Sequence, residues 1–328
     1  MVTAAEWDAL AAAVGEHARR DAPLGALTTY GVGGTAAVLV EVEGPSELEA
    51  LRVVLAGRAL DTFVIGRGSN VLVADSGFDG VAVRLGSGFN FVELPPEIER
   101  LGASGGATVV STGGATPLPV LARQVGDAGW SGLSWAVGVP GSVGGAVRMN
   151  AGGHGSDMAA CLRTYSWVDL LSGAEGTDDV SRLSYGYRSS SVASSMVVTA
   201  ADLGVQRGDA ATEQSAISEI VRWRREHQPG GANAGSVFTN PEGDSAGRLI
   251  EEAGLKGFRI GSAEVSTKHA NFIQADKGGR SGDVLRLMQH VHEVVRSTSG
   301  VSLRAEVRLL GFAGEETVTM RHTDAGAA

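Results

Sequence analysis

Gly66-Arg67-Gly68-Ser69-Asn70 decides how this chain is read. The segment follows an apolar run, Phe63-Val64-Ile65, and precedes a second, Val71-Leu72-Val73. Strand, glycine-rich turn, strand is a phosphate-cradling geometry, because glycine admits positive φ and lets backbone N–H groups approach an anion. No helix pattern follows the turn directly, so the dinucleotide fingerprint of strand, glycine turn and helix is missing. A second glycine-rich stretch, Gly138-Val139-Pro140-Gly141-Ser142-Val143-Gly144-Gly145, runs into Met149-Asn150-Ala151-Gly152-Gly153. Two such loops can hold one pyrophosphate between them. Either alone is weak, since most glycine-rich segments are only turns.

Outward from the first loop, the pattern is that of a small α/β unit. Residues 3–20 read as a helix opened by a Thr3/Glu6 capping box, with Trp7, Leu10, Ala11 and Val14 on one face. Val38–Val42 reads as a strand. Ser46 and Glu49 read as a second capping box ahead of the stripe Leu48, Leu51, Leu55. Beyond the loop, Val81–Leu85 and Thr108–Ser111 are expected strands. Thr116 is expected to cap a helix begun by Pro117, with Leu118, Leu121, Ala122 and Val125 buried.

Thr164–Leu171 and Met196–Leu203 read as strands, and polar Gln206–Asp209 as a linker. A helix is expected over 213–226, a short one from Ser245 to Ala253 stopped by Gly254, and two strands within 258–275. Val284, Leu287, Met288, Val291 and Val295 mark an amphipathic helix. Residues 301–310 alternate as a half-buried strand. The tail after Glu315 is expected to fray.

The totals narrow the function. With 328 residues the chain calls for two or three domains. A net charge of -10 with no basic cluster argues against nucleic acid. Cys161 is the one cysteine, which excludes intramolecular disulfides and fits a reducing compartment. No apolar run is long enough to span a bilayer, and a cytoplasmic protein with no membrane partner is the expectation. No His, Cys or carboxylate spacing suggests a metal.

Taken in order, six segments carry a resemblance. They are Thr29-Tyr30-Gly31-Val32-Gly33-Gly34, Gly66–Asn70, Gly138–Gly152, Tyr187-Arg188-Ser189-Ser190, Gly235–Pro241 and Ala305-Glu306-Val307-Arg308. The chain resembles the UDP-N-acetylenolpyruvoylglucosamine reductase (UDP-N-acetylmuramate dehydrogenase) family over roughly residues 25–312, in its compact branch, because only a short stretch joins Pro241 to Ala246.

That resemblance implies an α+β fold. A two-subdomain FAD cradle, not a Rossmann fold but like that of vanillyl-alcohol oxidase, would span residues 1–85 and 86–204, and an α+β substrate-binding domain 205–328. FAD would be bound non-covalently, with NADPH as hydride donor and a UDP-sugar as substrate in peptidoglycan precursor synthesis. The cradle residues implied are Gly66, Arg67, Gly68, Ser69, Asn70, Val139, Pro140, Gly141, Ser142, Gly144, Gly145, Asn150, Ala151 and Gly152, with backbone N–H groups of both loops around the pyrophosphate.

Implied catalytic residues are Arg188, Ser236 and Glu306: a carboxylate clamp, a proton donor, and an orienting or enol-stabilising carboxyl. Tyr187, Asn240 and Lys268 are implied substrate contacts. By geometry alone, Arg304 and Arg308 share a strand face with Glu306. Without the resemblance, Arg188 is a surface loop arginine, Ser236 a turn serine and Glu306 a solvated salt-bridge residue. His154 reads as a loop residue, and His290 and His292 as solvated. The alternatives are an FAD-dependent oxidase on the same scaffold or a non-catalytic nucleotide-sugar-binding protein. A monomer or weak dimer is expected.

Overall fold

The computed structural model describes residues 2–96 and 108–312; the expected frayed tail lies outside them. The first helix, α1 (Ala4–Val14), opens on the Thr3/Glu6 capping box and ends at Gly15, whose φ of +86° is left-handed. The helix expected through residue 20 is therefore shorter. Residues Ala18–Ala22 form strand β1 instead, antiparallel to β2 (Ala36–Val42). Pairing Arg19 with Glu41 at 2.8 Å and Arg20 with Asp8 at 2.9 Å gives this polar strand its anchors.

Helix α2 (Pro45–Leu55) starts one residue before the expected cap. Gly44 holds the N-cap position and Pro45 the first turn, so Ser46 caps nothing. Its stripe Leu48, Leu51 and Leu55 is buried against Val38, Val40, Val81 and Val83. With β3 (Thr62–Val64), β4 (Val71–Val73) and β5 (Phe78–Leu85) defined, the sheet order is β1-β2-β5-β3, with β2 and β3 both parallel to β5. Strand β4 leaves this sheet, although the Gly66 loop alone separates it from β3.

The second unit is an antiparallel sheet of β6 (Val92–Glu93), β7 (Thr108–Gly113), β8 (Leu162–Asp169), β9 (Glu175–Asp179) and β10 (Met196–Arg207), in the order β9-β8-β10-β7-β6. Helix α3 (Leu118–Asp127) buries Leu118, Leu121, Ala122 and Val125 as expected. The Thr116 hydroxyl does not cap it but donates to the Phe91 carbonyl at 2.9 Å. Helix α4 (Val143–Met149) carries the second glycine loop into the core.

Gln206 and Arg207 are no linker: they pair with Ser131 and Trp130 at the end of β10. Asp209 then caps α5 (Ala210–His227), accepting from Thr212 N–H at 2.9 Å. Ile217 of α5 lies in the same core as Leu118, Leu121 and Val125, so this helix packs on the second unit.

The third unit contains α6 (Ala246–Glu252), capped by Ser245, and three short antiparallel strands rather than two: β11 (Arg259–Ile260), β12 (Ala263–Val265) and β13 (Ile273–Ala275). Helix α7 (Ser281–Ser299) buries all five expected positions. Tyr30, Val32 and Leu72 from the first unit complete this core. Strand β14 (Arg308–Leu310) runs parallel to β4, which explains why β4 left the first sheet.

The expected strand over 301–310 is confined to β14. Leu303, Ala305 and Val307 keep the alternating burial, but the stretch pairs with 237–239 through the isolated bridge Phe238–Ala305 and the flanking bonds Thr239 N–H to the Arg304 carbonyl and Glu306 N–H to the Val237 carbonyl, too short a run to count as a strand. His292 is buried rather than solvated, with Nδ1 2.8 Å from the Leu303 carbonyl, and it ties α7 to this stretch. His290 stacks on Phe258. Across units, the Asp75 carboxylate accepts from Ser281 N–H and Oγ–H, both at 2.9 Å, and from Gly282 N–H at 3.1 Å, capping α7 from outside.

Candidate functional site

A cleft of about 310 Å³ opens between the first two units, lined by Gly66 and Arg67 on one side and Ser142, Gly144 and Gly145 on the other. Its walls approach so closely that an added Cβ on Gly66 would sit 2.4 Å from the Ser142 hydroxyl. Gly68 (φ +62°) likewise passes within 2.3 Å of the Leu27 carbonyl, measured from an ideal Cβ. Glycine is required at both places for different reasons: bare backbone at the first, handedness at the second as well.

Arg67 spans the two loops, donating from Nε to the Pro140 carbonyl at 3.2 Å. The Ser69 hydroxyl lies beside Gly141. Asn70 is committed elsewhere: its side-chain NH₂ donates to the Glu306 carbonyl at 3.1 Å, and its own carbonyl accepts from Arg308 N–H at 3.0 Å.

The second loop differs from expectation. Val143 N–H and Gly144 N–H donate to the carbonyls of Thr116 and Gly114, and Gly145 N–H to Ser142 Oγ at 3.4 Å. Those three amides are already satisfied and are not donors for an anion. The positive charge comes from Arg67, Arg84 and Arg148. Arg84, Arg148 and the turn at Gly86-Ser87 line the cleft although the motifs had not marked them; the only available signal was the Gly113-Gly114 pair beside them. A long, bare-walled cleft edged by guanidinium groups on an acidic chain fits a flat ring system joined to a diphosphate.

Asn150, Ala151 and Gly152 lie beyond that cleft, around Arg188. Arg188 has φ +56°, a left-handed conformation that costs a non-glycine residue about 1 kcal/mol. That turn aims its guanidinium inward. Nη2 donates to the Gly152 carbonyl at 2.7 Å, Nη1 to the Asn150 carbonyl at 3.4 Å, and Nε to Glu306 Oε1 at 3.1 Å. Asn150, itself left-handed at φ +41°, fixes the arrangement by donating to the Gly186 carbonyl at 3.0 Å.

The arginine facing Glu306 is thus Arg188 from the second unit, not its strand neighbours Arg304 and Arg308. Burial pushes the Glu306 carboxyl above the ordinary carboxylate range, and the Arg188 charge opposes that shift. Ser236 sits two residues before Phe238, which bridges Ala305, and the Val237 carbonyl accepts from Glu306 N–H at 2.8 Å. Ser236 and Glu306 are thereby carried on adjoining backbone.

The remaining expected contacts are engaged locally. Tyr187 is exposed, and the Arg188 guanidinium lies 5.0 Å from its ring centre. Asn240 Oδ1 accepts from Ala246 N–H at 3.1 Å, at the start of α6. Lys268 Nζ donates to the Arg225 carbonyl at the end of α5. His154 is the loop residue expected, in the turn after Gly153, and there it packs edge-on against Trp223, with ring centres 5.2 Å apart.

Residues 227–310 match the C-terminal domain of UDP-N-acetylenolpyruvoylglucosamine reductase, and residues 36–177 match an FAD binding domain. The reductase of that name from Synechococcus sp. is 41% identical over 296 residues, covering 89% of this chain and 94% of the relative. The chain belongs to the UDP-N-acetylenolpyruvoylglucosamine reductase family. Membership extends to the reductase from Rubrobacter xylanophilus, 40% identical over 300 residues, with 90% of this chain and 95% of the relative covered.

In three dimensions the chain is similar to the Thermus caldophilus UDP-N-acetylenolpyruvylglucosamine reductase, with a TM-score of 0.76 at 34% identity, covering 89% of this chain and 99% of that one. The reductase family's FAD-binding region therefore contains the glycine cleft, and its C-terminal domain contains Ser236 and Glu306. Among the described residues, no helix is long and apolar enough to cross a membrane, and no group of three or more His, Cys, Asp or Glu could hold a metal ion.

Proposed function

We propose that Arg188, Ser236 and Glu306 carry the FAD-dependent reduction of enolpyruvyl-UDP-N-acetylglucosamine to UDP-N-acetylmuramate by NADPH, in peptidoglycan precursor synthesis. The observation behind this residue assignment is the Arg188–Glu306 pair at 3.1 Å, which joins the second unit to the third beside the Ser236 loop. When bound, FAD would supply two-electron hydride chemistry between NADPH and the terminal carbon of the enolpyruvyl group.

As that hydride arrives, negative charge builds on the adjoining carbon and its carboxylate. Arg188 has five N–H groups and spends three of them on Glu306, Asn150 and Gly152, leaving two for the substrate carboxylate. Its attraction grows as the charge develops, so it stabilises the transition state more than the bound substrate. The Ser236 hydroxyl then gives its proton to the adjoining carbon. Glu306, pushed toward its neutral form by burial, orients Arg188 and can itself donate to the enolate.

The cleft residues Gly66, Arg67, Ser142, Gly144 and Gly145 would hold the cofactor, with Arg84 and Arg148 as further cations for its diphosphate. Asn150, Ala151 and Gly152 support Arg188 from behind. The cradle comprises the first two units with α5, since Ile217 sits in the second core, and the substrate side begins after His227. Tyr187 and Lys268, both exposed, would contact the substrate. The protein acts as a monomer or weak dimer, which sedimentation tests.

Stopped-flow absorbance tests the assignment. NADPH should bleach the flavin of the Ser236→Ala protein at nearly the wild-type rate, while the enolpyruvyl sugar nucleotide should fail to restore its colour. Loss of both half-reactions together would remove Ser236 from the proton step.

A further inference from the structure

Asn271 is 3% exposed and spends its whole side chain on one residue. Its Oδ1 accepts Phe238 N–H at 3.0 Å and its Nδ2 donates to the Phe238 carbonyl at 2.8 Å. Its own main-chain carbonyl accepts Val237 N–H at 2.9 Å. From the opposite side the Val237 carbonyl takes Glu306 N–H at 2.8 Å. Residues 237–238 are therefore gripped on both edges. On one edge an amide side chain does what a neighbouring strand would do, supplying one donor and one acceptor in register.

Ser236 is the next residue back along the chain. Gly235 before it has φ +76°, and an added Cβ there would meet nothing within 4 Å. The loop thus approaches Ser236 through a left-handed glycine held by a single bond, its N–H donating to Asn233 Oδ1 at 3.0 Å, and leaves it through a pair of residues held on both edges. The Ser236 hydroxyl makes no hydrogen bond to a described residue, so its place is set by its backbone.

We propose that Asn271 is the positioning residue for the Ser236 proton donor. This rests on the reading of Ser236 given above. Asn271 touches no reacting atom; it fixes where the Ser236 hydroxyl sits relative to Glu306. A misplacement of about 1 Å in such a group costs about a hundredfold in rate.

The test is Asn271→Asp, because its carboxyl can be switched. Protonated, it donates O–H to the Phe238 carbonyl and accepts Phe238 N–H, as the amide does. Ionised, it donates nothing and sets a charge against that carbonyl. Burial raises the pKa of such a group, so lowering the pH restores the missing donor. In the FAD-loaded protein, the measured quantity is the rate of flavin reoxidation by the enolpyruvyl sugar nucleotide, divided by the rate of flavin reduction by NADPH. In N271D this ratio should fall about tenfold or more below wild type near pH 8 and return to within about threefold near pH 6.

A second variant, Asn271→Ser, is too short to span both Phe238 groups and covers the case in which N271D does not fold. In flavin-free protein its Phe238 amide should exchange with solvent about tenfold faster than wild type, while α7 keeps its protection. A wild-type ratio in N271D at both pH values, equal slowing of both half-reactions, or wild-type exchange in N271S overturns the proposal. Ser236→Ala separates the two ideas. If S236A keeps a wild-type ratio, the donor assignment is lost. If S236A collapses the ratio and N271D does not, Asn271 is not the positioning residue.

Discussion

Replacing Arg188 by lysine keeps the charge and removes the fork. The backbone at this position is left-handed, and arginine and lysine share that cost, so the substitution isolates the side chain. Two different nitrogens make the short contacts, Nη2 to Gly152 at 2.7 Å and Nε to Glu306 at 3.1 Å. A lysine has one nitrogen at the end of a flexible stem and can keep only one of these while turning toward a substrate carboxylate. A hydrogen bond to a charged group is worth about 1.5–3 kcal/mol. Losing one, together with two-point contact to the substrate, amounts to about 3 kcal/mol, or about a hundredfold in rate.

The assay is single-turnover stopped flow with the two half-reactions measured separately. Flavin reduction by NADPH should change by less than about threefold, and transfer to the enolpyruvyl group should slow about a hundredfold. A wild-type rate for that transfer would mean that Arg188 is a structural bracket between the two units and nothing more.

Gly66→Ala should weaken FAD binding at least about tenfold, because its methyl would lie 2.4 Å from the buried Ser142 hydroxyl; adding Ser142→Ala should recover part of the loss, as read by flavin fluorescence titration. Asp75→Asn should lower stability by about 1 kcal/mol at neutral pH, since one carboxylate oxygen no longer accepts at the head of α7. Burial opposes ionisation of Asp75, but the N–H groups of Ser281 and Gly282 outweigh it and hold the carboxyl below its ordinary range. Its stabilisation is therefore present above the unfolded pKa of about 3.9 and is lost as the pH falls through the lower folded value, so wild type and D75N should converge in acid denaturation profiles. Glu306 has the opposite sign. Its raised pKa means that its stability contribution is complete below the unfolded carboxylate value and declines as pH rises through the folded one, so melting temperature in Glu306→Gln should vary less with pH across that window than in wild type.

Much of the fold could be read from local chemistry. Leu48, Leu51 and Leu55 announced α2 because helical spacing leaves few alternatives, and Val284 to Val295 did the same for α7. Strand β1 could not be read this way. Ala18-Arg19-Arg20-Asp21-Ala22 has no alternating apolar pattern, and its strand conformation comes from its pairing with β2 and its salt bridges. The capping boxes divided on the same principle: Thr3 was free to cap α1, whereas Pro45 took the turn that Ser46 needed.

At the site, the glycine loops were visible because bare backbone is itself a signal. The pairing of Arg188 with Glu306 was not, since 118 residues separate them and the strand neighbours Arg304 and Arg308 were the nearer charges on paper. Asn271 carried no signal in the sequence at all. Its role consists entirely of hydrogen bonds made to a segment 33 positions away.

The parallel pairing of Val71–Val73 with Arg308–Leu310 also governs how the chain matures. Asn70 and Glu306 stand 236 positions apart, yet the first supports the second directly. A ribosome that has delivered the glycine cradle has not yet supplied the segment that closes β4, so its main-chain hydrogen-bonding edge must wait, unpaired and apolar, through most of translation. A mutation that weakens β14 should therefore reveal itself first as aggregation of newly made protein, before any defect in the finished molecule can be assayed.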